Sequence, residues 1–117
     1  MADKNTNIQE LKDKVSTFVK QRNWEEFHNP KNLSMSISIE ASELMEIFQW
    51  LNIEESWDIM NSSEAEHVKE ELADVMIYCI SLANQLNIDI STAIKDKIRK
   101  NSIKYPIPDS KTSQEAK

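Results

Sequence analysis

The chain has 117 residues, a length that fits a single domain with a modest core. It contains no glycine, which disfavours tight hairpins, a P-loop and the glycine-rich dinucleotide-binding turn. The net charge of −6 argues against a general nucleic-acid surface, because such a surface needs a basic footprint. The first residues lack the apolar stretch of a signal peptide, and no run is long enough to span a membrane. We therefore expect a cytoplasmic protein whose partners include neither a membrane nor a nucleic-acid polymer.

The first predicted helix covers residues 7–22. Its apolar residues recur at spacings of three and four, which places them on one helix face: Ile8, Leu11, Val15, Phe18 and Val19. Asn29 is a predicted cap for the second helix, and Pro30 suits its first position, where no helical hydrogen bond needs the missing N–H. The second helix then covers residues 30–51.

One face of the second helix is apolar along its length and consists of Leu33, Ile37, Leu44, Ile47 and Leu51. Glu40 falls inside this face, and Glu43 lies on its flank. Trp50 is on the same flank as Glu43, two turns further on. Because a carboxylate in a buried face is unfavourable without a cationic partner, Glu40 marks a candidate site.

A helical turn is predicted around Trp57, within the connector of residues 52–62. Ser63 and Glu66 have the spacing of a capping box, which predicts a third helix that continues to about residue 87. Its predicted buried face consists of Val68, Leu72, Val75, Cys79, Leu82 and Leu86. The stripe beside this face carries Glu71, Asp74 and Tyr78. Cys79 is the only cysteine, so no internal disulfide can form, and its position predicts a buried, unreactive thiol.

Asp89 or Ser91 opens a fourth predicted helix, which ends near residue 104. Its inward face consists of Ile90, Ile94 and Ile98. Residues 1–105 are predicted to form one domain, and residues 106–117 a flexible polar tail. The short connector makes helices two and three antiparallel neighbours, with apolar stripes too broad for helices one and four to cover. The sequence therefore predicts an all-α fold of four antiparallel helices that forms a dimeric or tetrameric bundle.

Two carboxylate couples lie in the second and third predicted helices. Glu40 and Glu43 form one couple, and Glu71 and Asp74 form the other. A spacing of three makes the members of each couple neighbours on the helix surface. Four hard oxygen ligands from two helices suit Mg²⁺, with Mn²⁺ as an alternative, and Mg²⁺ commonly accompanies phosphates. One such couple is usually a pair of solvated acids, whereas two couples beside apolar stripes favour a metal site.

Other chemistry-bearing residues have two interpretations each. Glu64 and His67 have the E-x-x-H spacing of di-iron bundles, but such sites use two copies and the chain has one. Trp24 and Trp50 stand at the ends of elements, where a ring can stack on a base or pack in a core or subunit contact. A basic and polar face of the fourth helix can bind phosphate oxygens or remain solvated, and consists of Lys97, Asn101 and Lys104.

Three segments together resemble the MazG-type all-α nucleoside triphosphate pyrophosphatases, in particular their dCTP pyrophosphatase-like branch. The segments are RNWEEFHNPKNLSMSISIEASELMEIFQW, EELADVMIYCISLANQL and KIRKNSIKYP. The resemblance covers roughly residues 15–106. It implies stacked antiparallel helices that dimerise, often further into a dimer of dimers. It also implies Mg²⁺-dependent cleavage of a (deoxy)nucleoside triphosphate to monophosphate and pyrophosphate.

The resemblance assigns roles to individual positions. The metal ligands and catalytic residues would be Glu40, Glu43, Glu71 and Asp74. The substrate-binding residues would be Trp24 and Trp50 on the base, Tyr78, Lys97 and Asn101 on sugar and phosphates, Lys104 and Tyr105 in the KYP segment, and His28 and Asn32 in the FHxPxNL segment. Ile39 and Ser42 stand where glycines are common, and Val15 stands where a polar residue is expected to face the base. A pyrimidine substrate such as dCTP is expected, with a dUTP-cleaving enzyme or a non-catalytic dimerisation module as alternatives.

Overall fold

The computed structural model describes residues 1–108, and these form helices and turns without any strand. The longer elements are α1 (Ile8–Gln21), α2 (Pro30–Phe48), α3 (Ile53–Trp57), α4 (Ala65–Leu86) and α5 (Ile90–Lys104), and two short 3-10 helices cover Ala2–Lys4 and Ile59–Asn61. The all-α prediction is confirmed. The predicted tail falls mostly outside the described residues, so it stays a prediction, as does the domain boundary at residue 105. No helix within residues 1–108 is long and apolar enough to cross a membrane.

The chain divides into two compact units, Met1–Asn87 and a second that begins at Ile88. In the first unit, α4 packs against both α2 and α1. The buried core consists of Val19, Leu33, Ile59, Ile80 and Ala83. Residues near the end of α2 share a cleft with the start of α4, and Glu40 lies beside Glu71 further along. The two helices therefore run antiparallel, as predicted.

Asparagine takes the left-handed backbone positions of this glycine-free chain. Asn23 has φ 56° and Asn87 has φ 54°. After α1, the N–H of Asn23 bonds to the carbonyl of Lys20, and the N–H of Trp24 bonds to the carbonyl of Val19. This pair of bonds is a Schellman motif, in which asparagine is the usual substitute for glycine. The motif turns the chain sharply and so directs Trp24 out of the helix.

The caps of α2 and α5 are the predicted ones, whereas the predicted start of α4 is wrong. Asn29 accepts a hydrogen bond from the Asn32 N–H at 2.9 Å, with Pro30 next to it in the first turn. Asp89 caps α5 in the same way. The predicted capping box at Ser63 is wrong, because α4 begins at Ala65 after a turn and has no side-chain cap. α2 also ends at Phe48 rather than at residue 51.

The predicted buried face of α4 is partly wrong. Leu72 is 47% exposed, and Cys79 is exposed as well. The residues that α4 buries are instead Ile80, Ser81 and Ala83. The physical reason is that α4 is apolar around much of its circumference, and α1 and α2 cover only one side of it. Periodicity alone cannot decide which part of so broad an apolar surface is buried.

Candidate active site

Three carboxylates from α2 and α4 meet at the centre of the first unit. Each of Glu40, Glu43 and Glu71 offers one oxygen, and these oxygens all lie within 4.8 Å of one another. Glu40 and Glu71 are half-buried, and Glu43 is exposed. Asp74 is half-buried and lies one turn beyond Glu71 on α4, but it is not part of this set of three. The structure therefore brings the two predicted couples together, since Asp74, although outside the set of three, interacts directly with Glu40.

The electrostatics of Glu40 reflect this crowding. Partial burial, the negative charges of Glu43, Asp74 and Glu71, and a hydrogen bond with Asp74 together raise the pKa of Glu40 above its ordinary value of 4.5. Each cause disfavours the ionised form, because negative charge is concentrated where water is partly excluded. A cation bound among these oxygens would reverse the effect.

Glu71 shows most directly that this site fits a cation. Its Oε1 is buried and has no hydrogen-bond partner among the described residues, and its side chain is 16% exposed. A buried carboxylate oxygen without a partner is unfavourable, and an ion would satisfy it. Two oxygens that share one Mg²⁺ ion are at most about 4.2 Å apart, since each Mg–O distance is about 2.1 Å. The 4.8 Å cluster needs only small side-chain adjustments to reach that geometry.

The Glu64–His67 pair lies beside this cluster, and the sequence analysis did not predict that position. Nδ1 of His67 is hydrogen-bonded to Oε1 of Glu64 at 2.9 Å, and its Nε2 lies 3.8 Å from Oε2 of Glu71. The hydrogen bond to Glu64 and the neighbouring acids raise the pKa of His67 above 6.5, against the opposing effect of desolvation. A cleft of about 350 Å³ is lined by Glu43, Glu46, Ile47, Glu64, His67 and Glu71. The i, i+4 spacing of His67 and Glu71 on one helix was the available signal.

An aromatic pocket of about 340 Å³ adjoins Asp74. It is largely apolar and is lined by Lys14, Val15, Phe18, Val19, Trp24, His28, Asp74, Ile77 and Tyr78. The rings of Trp24 and His28 are stacked, with centroids 5.9 Å apart and planes 25° apart. The ring of Tyr78 lies 6.0 Å from that of His28. Three residues that were predicted to bind substrate therefore meet at one pocket: Trp24, His28 and Tyr78. The pocket lies beside Asp74, a predicted metal ligand.

Two further predicted substrate-binding residues of the first unit, Trp50 and Asn32, do not line this pocket. Trp50 is 87% exposed and is not among the residues that line the aromatic pocket. The side-chain amide of Asn32 donates to the carbonyl of Phe27 at 3.2 Å, so it stabilises the loop before α2. The remaining four belong to the second unit: Lys97, Asn101, Lys104 and Tyr105. Within that unit, Nζ of Lys104 lies 5.3 Å from the centre of the Tyr105 ring.

Known proteins resemble this chain in sequence and, in one solved case, in structure. Residues 35–117 match the MazG-like family. The chain is 33% identical to dCTP pyrophosphatase 1 of Rattus norvegicus over 101 residues, which are 86% of this chain and 59% of that protein. The human dCTP pyrophosphatase 1 is also 33% identical, over 85% of this chain and 59% of its own length. The chain thus spans about three fifths of the length of these relatives.

A solved structure agrees with the sequence matches. The crystal structure of a pyrophosphatase from Archaeoglobus fulgidus superimposes with a TM-score of 0.78 at 43% sequence identity, and the match covers 84% of this chain and 91% of that one. The sequence match extends over most of the chain and includes both predicted carboxylate couples. The chain belongs to the MazG-like family.

Proposed function

We propose that this protein is a Mg²⁺-dependent pyrophosphohydrolase that converts a (deoxy)nucleoside triphosphate to its monophosphate and pyrophosphate, and so removes unwanted nucleotides. The observation that carries the proposal is the cluster of Glu40, Glu43 and Glu71, whose oxygens lie within 4.8 Å beside an aromatic pocket. The similar proteins named as dCTP pyrophosphatases and as a pyrophosphatase support the same chemistry.

Glu40, Glu43, Glu71 and Asp74 would hold the metal ion; the oxygens of the first three lie within 4.8 Å of one another, and Asp74 interacts with Glu40. When bound, Mg²⁺ would neutralise the triphosphate and hold it in register, and Mn²⁺ could take its place. The unpartnered oxygen of Glu71 is the strongest reason for this assignment. A site built from carboxylates alone selects a hard cation, because soft metals prefer thiolate or imidazole ligands.

The carboxylates also supply a base for the hydrolysis. Glu40 and Asp74 are hydrogen-bonded partners, so the two carboxylates together can hold a proton taken from water. Glu40 or Glu43 would orient or deprotonate the water that attacks the α-phosphorus, and pyrophosphate would leave on the opposite side. Catalysis of this kind depends mainly on positioning and on stabilisation of charge.

The aromatic pocket would bind the base. Trp24 offers a ring for stacking, which tolerates different bases, while selectivity needs hydrogen bonds at the base edge. The resemblance implies a pyrimidine preference, with dCTP first. Because Val15 cannot form such a hydrogen bond, we expect weaker discrimination between bases than in a dedicated enzyme. Trp50 does not line this pocket within one chain. If the base is held between the rings of Trp24 and Trp50, as predicted, a second copy of the chain would have to supply Trp50.

The remaining substrate contacts are assigned by resemblance. Tyr78, Lys97 and Asn101 would contact the sugar and phosphates, and Lys104 and Tyr105 belong to the same basic segment. Lysine suits this role because its ammonium group is a compact charge that can approach several phosphate oxygens. His28 and Asn32 would complete the binding region from the loop before α2.

The protein would act as a homodimer or homotetramer. Apolar side chains on α2 and α4 are widely exposed in the single chain, including Ile39 at 59%, Met45 at 58% and Met76 at 53%. A monomer with such broad apolar stripes would expose more apolar surface than is usual for a stable single chain. Packing of a second copy on these stripes would bury them.

A screen of the purified protein against all common nucleoside triphosphates tests the proposal. We expect release of monophosphate and pyrophosphate with Mg²⁺ present and none after chelation with EDTA. The ranking of kcat/KM for dCTP, dTTP, dUTP and dATP then identifies the substrate. Best activity on dUTP would favour the dUTP-cleaving alternative, and failure to cleave any triphosphate would favour a non-catalytic module.

A further inference from the structure

A single hydrogen bond joins the loop before α2 to the buried side of α4. Nδ1 of His28 and Oγ of Ser81 are hydrogen-bonded at 3.2 Å, although the residues are 53 positions apart. Ser81 is only 2% exposed and is the buried polar side chain of the core. A buried hydroxyl needs a partner, so His28 is held at one defined place against the helix.

This bond leaves His28 with one ring nitrogen for another partner. Among the described residues, Nε2 of His28 makes no hydrogen bond. His28 also lines the aromatic pocket, and its plane lies within 25° of the plane of Trp24. A base stacked on Trp24 would therefore lie nearly parallel to the His28 ring and within the same pocket as the unoccupied Nε2.

The bond at Nδ1 leaves Nε2 available to a pyrimidine. An imidazole nitrogen donates or accepts according to its tautomer, and cytosine and uracil present opposite donors and acceptors at part of their edges. The orientation of the His28 ring therefore decides which atoms of a base edge Nε2 can reach. The wall that α1 contributes at Val15 is apolar, which leaves His28, Tyr78 and the indole N–H of Trp24 as the uncharged polar groups of the pocket.

We infer that Ser81 is a positioning residue that holds the ring of His28 in one orientation, and that it thereby sets base selectivity. The inference rests on the proposed function, and it assigns Ser81 a role through His28 rather than through contact with the substrate.

The test compares kcat/KM for dCTP, dTTP and dUTP in wild type, Ser81→Ala, His28→Phe and the double variant. His28→Phe keeps a ring against Trp24 but has no nitrogen to position. We define the selectivity ratio as kcat/KM for dCTP divided by kcat/KM for dUTP. We expect Ser81→Ala to lower this ratio about threefold to tenfold, as for one lost hydrogen bond. The double variant should match His28→Phe, because Ser81 has nothing left to position.

Asn84→Ala is the matched control, because Asn84 also joins α4 to a neighbour, through a 3.0 Å hydrogen bond to the Lys12 carbonyl, without contacting His28. It should leave the selectivity ratio unchanged. NMR of the histidine rings, of which the chain has two, provides a readout without substrate. The ring resonances of His28 should shift and broaden in Ser81→Ala and should stay as in wild type in Asn84→Ala.

The possible outcomes separate the inference from the function on which it rests. A wild type that cleaves no triphosphate contradicts the proposed function. If the wild type cleaves triphosphates but Ser81→Ala keeps both the selectivity and the His28 ring resonances of the wild type, only the inference is contradicted. The inference also fails if Ser81→Ala changes selectivity equally in the His28→Phe background, because Ser81 would then act independently of His28.

Discussion

At the scale of single residues, the account depends on the charge of the clustered carboxylates. Glu43→Gln and Asp74→Asn each remove one negative charge with little change in shape. We expect each substitution to abolish turnover, because a neutral amide binds a hard cation weakly. We also expect the metal-free protein to become slightly more stable, because both charges help to raise the pKa of Glu40. Steady-state kinetics and thermal denaturation by circular dichroism measure the two effects.

Glu46→Gln is the control for these substitutions, since Glu46 lies on the same helix as Glu43 but is neither in the set of three nor among the carboxylates that raise the pKa of Glu40. It should retain most of the turnover. Normal turnover in Glu43→Gln or Asp74→Asn would remove that residue from the proposed metal site. Equal losses in all three variants would mean that the overall acidity of the region matters rather than specific ligands.

The raised pKa of Glu40 predicts how metal-free stability varies with pH. The folded chain binds this proton more tightly than the unfolded chain, whose carboxyl titrates near 4.5. The contribution of Glu40 to stability is therefore complete below that pH and is lost as the pH rises through the higher folded pKa. Mg²⁺ competes with the proton, so we expect the increase in Tm on adding Mg²⁺ to be larger at pH 8 than at pH 5.

Thermal denaturation across this pH range, with and without Mg²⁺, measures the effect. Glu71→Gln should abolish the increase in Tm, because Glu71 supplies the buried oxygen that lacks a partner. An increase that is independent of pH, or that persists in Glu71→Gln, would contradict metal binding at these carboxylates.

Trp24 gives a prediction for the base pocket. Replacement of Trp24 by alanine removes the stacking surface, and we expect a loss of about 1–3 kcal/mol in substrate binding. Measurement of KM and kcat for dCTP and dATP shows whether the loss is similar for both bases, as stacking predicts. Trp50→Ala should weaken binding only if a second copy brings Trp50 to the pocket. If Trp24→Ala leaves both constants unchanged, the base binds elsewhere.

At the scale of elements, the sequence predicted most of what forms the site. The three-and-four spacing in α2 and α4 placed Glu40 in an apolar face and made Glu71 its neighbour across an antiparallel pair, and the structure agrees. Asn29, Pro30 and Asp89 marked helix starts correctly because each satisfies a local backbone requirement. Such signals are contained in a few adjacent residues, so a single sequence is sufficient to read them.

Contacts between distant residues could not be predicted in the same way. The bond between His28 and Ser81 depends on the turn at Asn23 and on the side of α4 that faces α1. Periodicity wrongly predicted that Leu72 and Cys79 are buried, because it detects an apolar surface but not the neighbour that covers it. The position of His67 beside Glu71 is different, because it follows from their i, i+4 spacing on one helix and could have been predicted.

At the scale of the whole molecule, the exposed apolar stripes of α2 and α4 predict self-association. We expect light scattering to give the mass of a dimer or tetramer at micromolar concentration. Met76→Glu should shift the mass toward the monomer, because it places a charge in the middle of the exposed stripe of α4. Lys69→Glu, on an exposed charged position of the same helix, is the control and should leave the mass unchanged. A clean monomer for the wild type would contradict the shared apolar surface.

The reaction itself tests the central claim most directly. Hydrolysis of dCTP with Mg²⁺ in water enriched in the heavy oxygen isotope, followed by mass spectrometry of the products, shows both the bond that breaks and the phosphorus that is attacked. The account predicts dCMP carrying one labelled oxygen together with unlabelled pyrophosphate, and no reaction in Glu71→Gln. Release of dCDP and orthophosphate, label in the pyrophosphate, or unchanged dCTP under conditions where the protein is folded would contradict it.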